Sequence, residues 1–195
     1  MPEHSAAPGD LEDVRSLVNT WRVPNDTRAP VDELPALRAD AGAWRRAFAV
    51  LPPPLPAVDI AAVRDDVRSV LGLRHPVQLA GRVDAVAWRP VIADTGEPAV
   101  RWRPVDEHDT AAAVLALVLA AVGDGTWHRL RACPDCGWAF YDSSRNARRT
   151  WCSMGAGAGA RGCGSVAKTR AYRARRRGDS GGSSRGAPQT PGDFR

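Results

Sequence analysis

The sequence predicts a mainly α-helical fold of the α+β class, with a helical N-terminal domain that contains one β-hairpin. Three features support this prediction. Apolar residues recur at helical spacing in three segments of the first half of the chain. Two short segments alternate apolar and polar residues on either side of a turn. An unbroken apolar run, 111–122, is long enough for a buried helix but shorter than the ~20 residues that span a bilayer.

The three periodic segments predict helices over residues 11–21, 31–51 and 60–71. Asp10 is placed to cap the first helix, and Pro24 follows as its stop. The proline run at 52–54 ends the second helix, because proline lacks the N–H that a helix interior requires. The third helix is expected to close near Gly72.

The hairpin and a core helix complete the N-terminal part. Alternation over 83–91 and 99–105 surrounds the turn residues Asp94-Thr95-Gly96, which together predict two antiparallel strands. The apolar run then predicts a helix over 109–122 that is capped by Gly123. A short helical turn around Trp127 is expected to lead into the first cysteine.

All four cysteines lie in the last third of the chain, as Cys133, Cys136, Cys152 and Cys163. A Cys-x-x-Cys knuckle followed by two more cysteines within about thirty residues is the spacing of a structural zinc site. Four thiolates complete a tetrahedron, so the sequence predicts a closed Zn²⁺ site with these four ligands. Because Cys163 opens a predicted helix, the module is expected to be a small treble-clef-like zinc finger with four cysteine ligands.

Other interpretations of these cysteines remain open but fit less well. A redox Cys-x-x-Cys requires a thioredoxin-like βαβ context, which the pattern lacks. Iron–sulfur clusters also use four cysteines, but with spacings unlike this one. Four unrelated structural cysteines are a third possibility, although free cysteines rarely cluster in this way. His128, five residues before Cys133, is an alternative ligand, against the plainer interpretation of a packed or solvent-facing histidine.

The positive charge of the chain belongs to one segment. The whole chain has a formal net charge of +5, yet residues 1–128 hold thirteen arginines against eighteen acidic residues. Residues 129–177 hold twelve Lys or Arg against two Asp, and residues 178–195 are balanced. A small metal-stabilised module with this charge indicates a polyanionic partner, most simply nucleic acid.

The candidate nucleic-acid contacts form two groups of basic residues. One follows the knuckle, and the other lies on the predicted helix after the last cysteine, where the alternative for 175–177 is a solvated helix end. The candidates are Arg145, Arg148, Arg149, Lys168, Arg170, Arg173, Arg175, Arg176 and Arg177.

Residues 130–177 resemble the CGNR zinc finger, a bacterial module with the pattern C-x-x-C-x-x-x-F-x-D-x-S-R-N…R-R-x-W-C-S-M…C-G-N-R-x-K-x-R-x-Y-R-x-R. The residues that match include Cys133, Cys136, Phe140, Asp142, Ser144-Arg145-Asn146, Arg148-Arg149, Trp151-Cys152-Ser153-Met154, Cys163-Gly164 and 168–175. Leu17-Val18-Asn19-Thr20 and the helix before the finger are similar to the associated ABATE-type N-terminal domain. The resemblance implies a stress-linked transcription regulator, with a DNA-binding finger and an N-terminal domain that senses a small-molecule ligand.

The sequence departs from the family pattern in two places. The stretch 155–162 widens the gap between the last two cysteines to ten residues, where the family keeps about four. Closing a longer Gly/Ala loop costs only ~0.8 kcal/mol on logarithmic scaling, so metal binding is expected to survive. Ser165-Val166 stands where the family has Asn-Arg, which bears on DNA specificity rather than on zinc.

These features predict three regions: an ABATE-like helical domain over 1–128, the finger with its basic helix over 129–177, and a disordered tail over 178–195. The expected function is zinc-dependent DNA binding in transcription regulation. The alternative is a zinc-stabilised protein- or RNA-interaction module that has lost specific DNA readout. An enzyme is not expected, because a closed site of four thiolates has no vacant position. The absence of a signal peptide or an apolar span predicts a cytoplasmic protein without a membrane partner.

Overall fold

The structure, a computed structural model, describes residues 6–24, 27–94, 98–153 and 162–180. Within these residues the helices are α1 Leu11–Asn19, α2 Leu34–Ala39, α3 Ala41–Ala47, α4 Ile60–Ser69, α5 Ala80–Asp84, α6 Thr110–Gly123 and α7 Cys163–Ser180, with short 3₁₀ helices at Val77–Leu79 and Trp127–Arg129. The strands are β1 Trp21–Arg22, β2 Val31–Asp32, β3 Trp88–Asp94, β4 Pro98–Pro104, β5 Leu130–Ala132 and β6 Ala139–Tyr141.

The prediction of a mainly helical α+β fold is confirmed. The strands form three antiparallel two-stranded sheets, β1–β2, β3–β4 and β5–β6. Helices α1, α4 and α6 pack on one another, and their buried apolar faces form the centre of the main core. Leu130 of β5 and Ala139 of β6, both 0% exposed, belong to the same core. The strands of the cysteine-rich segment are therefore packed into the N-terminal half of the molecule.

Helix α1 ends earlier than predicted. The N–H and the side-chain hydroxyl of Thr20 both donate to the carbonyl of Leu17, at 3.2 and 2.7 Å, which closes the helix after Asn19. Trp21 then pairs with Asp32 in the β1–β2 sheet. The prediction that Trp21 continues the helix up to Pro24 is wrong because strand pairing at Trp21 outweighs its helical spacing.

The prediction of one continuous helix over 31–51 is also wrong, since the structure has a strand and two short helices there. Residues 31–32 form a strand, and Asp40 interrupts the rest with an extended backbone, φ −128° and ψ 104°. The carboxylate of Asp40 accepts hydrogen bonds from the N–H groups of Gly42 and Ala43, at 2.7 and 3.1 Å. A side chain that caps a new helix favours a break at its own position, so two short helices form.

The hairpin exists, but its first strand begins later than predicted. Residues 80–84 form the helix α5, and β3 begins at Trp88, whose indole N–H donates to the carbonyl of Val83 at 2.8 Å. The alternation at 83–87 is too short to separate a strand from a helical turn. The register pairs Trp88 with Pro104 and Ile92 with Val100.

The helices predicted over 60–71 and 109–122 agree more closely with the structure, as α4 and α6. Helix α4 ends at Ser69, and Gly72 follows with φ +80°. Helix α6 begins after Asp109, whose carboxylate accepts from the N–H of Ala112 at 3.1 Å. Gly123 lies inside α6, and the left-handed residue that closes the turn is Gly125, with φ +67°. The 3₁₀ helix at Trp127–Arg129 confirms the predicted helical turn and crosses the predicted domain boundary.

Several predictions fall partly outside the described residues. These are the tip of the hairpin turn at Thr95-Gly96, the Gly/Ala stretch 155–161 and the tail from 181 onward. Helix α7 continues to Ser180, so residues 178–180 belong to the helix rather than to the tail. In the described part of the chain, no helix combines the length and the apolar character needed to cross a membrane.

Candidate metal centre and basic helix

The four cysteines come from three separate elements. Cys133 and Cys136 occupy the turn between β5 and β6, Cys152 lies in the loop after β6, and Cys163 is the first residue of α7. All four are buried, with exposed fractions between 0 and 8%, and no disulfide joins them. A knuckle on a short hairpin that faces the first turn of a helix is the treble-clef-like arrangement expected from the sequence.

The sulfur atoms are close enough to share one ion. All four Sγ atoms lie within 4.8 Å of one another. Cys152 Sγ is 3.6 Å from Cys136 Sγ and 3.5 Å from Cys163 Sγ. A tetrahedron with Zn–S bonds of ~2.3 Å places its sulfurs about 3.8 Å apart. The donor set and its spacing therefore fit Zn²⁺ as predicted, and His128 is not part of this cluster among the described residues.

Close packing of the sulfurs shifts the pKa values of Cys133, Cys136 and Cys152. Hydrogen bonds from Cys136 and Cys152 lower the pKa of Cys133. The neighbouring Cys133 sulfur, together with burial, raises the pKa of Cys136 to about 12 and also raises the pKa of Cys152. The close packing of these sulfurs thus favours ionisation of Cys133 and opposes it at Cys136 and Cys152. A coordinated divalent ion deprotonates its thiols outright.

The knuckle turn depends on Gly137. Its N–H donates to the carbonyl of Cys133 at 2.8 Å, and its φ is +71°, the left-handed region that favours glycine. A Cβ at this position would lie 2.5 Å from Nη2 of Arg68 and 3.2 Å from the ring of Trp21. The glycine is therefore required by contact with the N-terminal half of the chain as well as by the turn.

Asp142 organises the loop that carries Cys152. Its buried carboxylate accepts from the N–H and hydroxyl of Ser144, at 3.0 and 2.5 Å, and from the N–H of Arg149 at 2.7 Å. Burial alone would raise the pKa of Asp142, but these hydrogen bonds lower it. The loop is thereby tied to β6 through a satisfied, ionised carboxylate.

Arg149 has a structural position rather than a solvent-facing one. Its guanidinium lies 5.1 Å from the ring centroid of buried Phe140. It also donates from Nε to the carbonyl of Trp151 at 2.9 Å and from Nη2 to the carbonyl of Cys152. These contacts hold the third cysteine in place. Arg145 and Arg148, the other candidates in this loop, are exposed.

The remaining candidate contacts lie along α7. Lys168, Arg170, Arg173, Arg175 and Arg176 are exposed, and the side chain of Arg177 lies outside the described residues. Residues three or seven positions apart share a helix face, so Arg170 lies beside Arg173, whereas Lys168 and Arg175 share a different face. The helix is therefore cationic on more than one side, and one duplex could not contact every one of these residues.

Asp135 connects the knuckle to α7 and to the N-terminal half. Its carboxylate, 6% exposed, accepts from Arg28 at 3.0 Å and from Arg170 at 2.7 Å. Arg28 also donates to the backbone carbonyl of Asp135 at 3.0 Å. Burial would raise the pKa of Asp135, but the two guanidinium groups lower it. Asp135 was not predicted as part of the site, although an acidic residue inside a strongly basic segment was a signal for it.

Two more side chains join the knuckle to the N-terminal half. Asn19 donates to the carbonyl of Ala139 at 2.9 Å and accepts from its N–H at 2.7 Å. Arg68 stacks 4.4 Å from the ring centroid of Trp21 and donates to the carbonyls of Val18 and Trp21, at 3.0 and 3.1 Å, and to that of Gly137. Burial lowers the pKa of Arg68. Neither residue was predicted as part of the site, because these partners are distant in sequence.

The cysteine cluster lies in a segment that matches a known domain family. Residues 129–176 match the family model of the CGNR zinc finger. The chain thus carries a CGNR zinc finger domain with four cysteines positioned to bind a metal ion, consistent with Zn²⁺. The match covers none of residues 1–128. No curated protein matches the chain.

Proposed function

We propose that this protein is a zinc-dependent DNA-binding transcription regulator of the cytoplasm whose N-terminal domain senses a small molecule. The observation that carries the proposal is the exposed basic face of α7, which is fixed at its first residue, Cys163, to the metal cluster. Phosphate contacts from Lys and Arg supply most of the affinity in non-specific DNA binding. The cluster would hold this helix at a defined position for such contacts.

The candidate basic residues fall into two roles, phosphate contact and support of the metal loop, according to their exposure and their hydrogen bonds. The exposed residues of α7 are proposed to contact phosphates from one face of the helix at a time, with Arg145 and Arg148 of the loop as further contacts. The α7 candidates are Lys168, Arg173, Arg175 and Arg176, together with Arg170 when it is released from Asp135. Arg177 is proposed as a further phosphate contact because of its position in the sequence. Arg149 is proposed to support the metal loop, because two of its guanidinium nitrogens already bind backbone carbonyls. Catalysis is not proposed, since four thiolates complete the coordination of zinc.

Salt-dependent duplex binding tests the proposal. Affinity of the zinc-loaded protein for a duplex of about 20 base pairs would be measured by anisotropy at several salt concentrations. Replacing Arg173 and Arg176 with Gln should reduce the log–log slope by about two contacts at ~0.9 each. The matched control replaces Arg45 and Arg46, exposed on α3, with Gln and should leave the slope unchanged. Absence of duplex binding, or an equal effect of both pairs, would contradict the proposal.

A second candidate function is a protein- or RNA-interaction module. It is favoured by Ser165-Val166 in place of Asn-Arg and by the apolar outer face of the hairpin, where Ile92 is 81% and Trp102 51% exposed. Genome-wide occupancy of the tagged protein, with and without Cys133→Ser, separates the two. Discrete sites that disappear in the variant support the regulator, whereas RNA or protein capture without DNA occupancy supports the module.

A further inference from the structure

Two arginines of the N-terminal half bind the backbone of the knuckle on either side of Cys136. The carbonyl of Asp135 accepts from Nη1 of Arg28 at 3.0 Å. The carbonyl of Gly137 accepts from Nη2 of Arg68. Donors from outside the finger therefore reach the two residues that flank a metal-binding cysteine.

The same two peptide groups face sulfur atoms on their opposite side. The peptide group with the Gly137 carbonyl also contains the N–H of Trp138, which donates to the sulfur of Cys136. The peptide group with the Asp135 carbonyl contains the N–H of Cys136, which donates to the sulfur of Cys133. A hydrogen bond to the carbonyl of a peptide group polarises its N–H, so each arginine strengthens one N–H bond to a sulfur.

The two arginines differ in how their charge is balanced. Arg28 is paired with the carboxylate of Asp135 at 3.0 Å. Arg68 is half-buried, its hydrogen bonds go to carbonyls, and no carboxylate forms an ion pair with it within the described residues. Arg64, one turn earlier on α4, is by contrast paired with two carboxylates. Arg68 is therefore a fixed cation that lies against the knuckle without a carboxylate partner.

A metal centre of four thiolates supplies the negative charge that Arg68 lacks. Zn²⁺ bound by four thiolates has a net charge of about −2. A half-buried cation is attracted to such a charge more strongly than an exposed one, because less water screens it. We propose that Arg68 is the counter-cation of the four-thiolate metal centre and raises its affinity for zinc. A residue of the N-terminal half thereby belongs to the surroundings of the metal, which goes beyond the proposed function of the finger.

The test measures the zinc affinity of the full chain by competition with a chromophoric chelator. Arg68→Gln removes the charge and should weaken zinc binding roughly tenfold or more, as for other groups that surround metal ligands. Arg68→Lys keeps the charge but not the planar fork of donors, and it should stay within about threefold of the wild type. Arg82→Gln is the control, because it removes a charge from a solvent-exposed pair with Asp66, and it should change zinc affinity by less than about twofold.

A second measurement separates the effect of charge from a loss of packing. Iron bound by the same four cysteines alternates between Fe(III) and Fe(II), and the reduced site has one more negative charge. A nearby cation favours the reduced form, so the reduction potential of the iron-loaded chain should be lower in Arg68→Gln than in Arg68→Lys. A tenfold change in the ratio of the two forms corresponds to about 59 mV for a one-electron couple.

Arg68→Met is a second neutral variant if Arg68→Gln fails to fold, because its unbranched side chain can still cover the ring of Trp21. Weaker zinc binding together with a lower iron potential in the neutral variant would support the inference. Zinc affinity of the neutral variant within about threefold of the wild type, or an iron potential equal to that of Arg68→Lys, would overturn it. Neither measurement involves a duplex, so failure of the DNA-binding proposal would leave this inference standing.

Discussion

Gly137 shows how one residue can connect a metal knuckle to a distant part of the chain. Its left-handed backbone permits the turn between Cys136 and β6. Its missing side chain leaves room for Arg68, which is anchored to three carbonyls and to the face of Trp21. Because Arg68 is held at so many points, it cannot move away from an added Cβ without losing those bonds.

Replacing Gly137 with Ala should therefore destabilise the protein more than the backbone strain alone requires. Gly125→Ala is the matched control, since Gly125 also has positive φ, +67°, but open space where a Cβ would stand. We expect the control to cost about 1 kcal/mol and Gly137→Ala to cost roughly 2 kcal/mol more, as for other overpacked sites. Urea unfolding of both zinc-loaded variants measures the difference; equal costs would show that Arg68 yields freely.

At the scale of elements, α7 is held at both its first turn and its eighth residue. Cys163 is fixed by the cluster, and Arg170 is bound to Asp135 of the knuckle at 2.7 Å. The second contact occupies a residue that duplex binding would otherwise use. Asp135 therefore orients the helix and at the same time reduces its available positive charge.

Neutralising this carboxylate should strengthen non-specific duplex binding. In Asp135→Asn we expect affinity at low salt to rise several-fold and the salt slope to steepen by about one contact, because Arg170 becomes available to phosphate. Asp124→Asn removes the same charge from an exposed pair with Arg101 and should leave duplex binding nearly unchanged. Anisotropy at matched zinc content measures both; weaker binding by Asp135→Asn would show that orientation of α7 matters more than charge.

The first turn of α7 carries the departure from the family pattern. Ser165 and Val166 are half-buried, two and three residues after Cys163. Val166 has no polar group and Ser165 has a single hydroxyl, so neither side chain can make the two-point contacts of Asn or Arg to a base edge. Duplex binding by this chain is therefore expected to have weak sequence preference.

Restoring Ser165→Asn and Val166→Arg together should sharpen that preference. Specific sites usually exceed non-specific ones by ~10³ or more, whereas phosphate contacts alone supply none of this ratio. Selection from a random oligonucleotide library, run in parallel on both proteins, measures the change. A wild-type protein that already selects one motif a thousandfold would refute the prediction and would indicate base contacts elsewhere, with Arg145 and Arg148 as the exposed candidates.

At the scale of the whole molecule, the finger and the N-terminal half share one core. Leu130 and Ala139 are buried among residues of α1, α4 and α6. Asn19 satisfies both backbone groups of Ala139, and the N–H of Gly72 donates to the carbonyl of Leu130 at 2.8 Å. Loss of the knuckle would expose apolar surface and leave these polar groups without partners.

Removal of zinc should therefore lower the stability of helices far from the cysteines. We expect chelation to reduce hydrogen-exchange protection in α1 and α4 as well as in β5 and β6, because metal binding free energy is also folding free energy. Cys152→Ser should give the same pattern without chelator. Exchange that increases only within 129–177 would show instead that the two halves fold independently.

Much of this organisation was readable from local sequence, and the remainder was not. Apolar periodicity predicted α1 and α4, the unbroken apolar run predicted α6, and the cysteine spacing predicted the metal cluster, because residue type and spacing along the chain carry these features directly. The strand at Trp21, the break at Asp40 and the use of Arg149 for support were missed. At Trp21 and Asp40 hydrogen bonding outweighed the helical spacing, and at Arg149 bonds to backbone carbonyls replaced the predicted solvent-facing role.

The sequence by itself determined the helical character of the chain, the four metal ligands and the concentration of positive charge near them, since composition and spacing carry that information directly. Only the tertiary structure decided that Asn19 and Arg68 hold the knuckle, that Asp135 binds Arg170, and that Arg15 and Trp138 line one cleft. The hydrogen-bonded partners of Asn19, Arg68 and Asp135 lie 35 to 120 residues away in the sequence, and no periodic pattern encodes such pairs. They depend on the path of the folded backbone, which places two polar groups within about 3 Å and removes water from both.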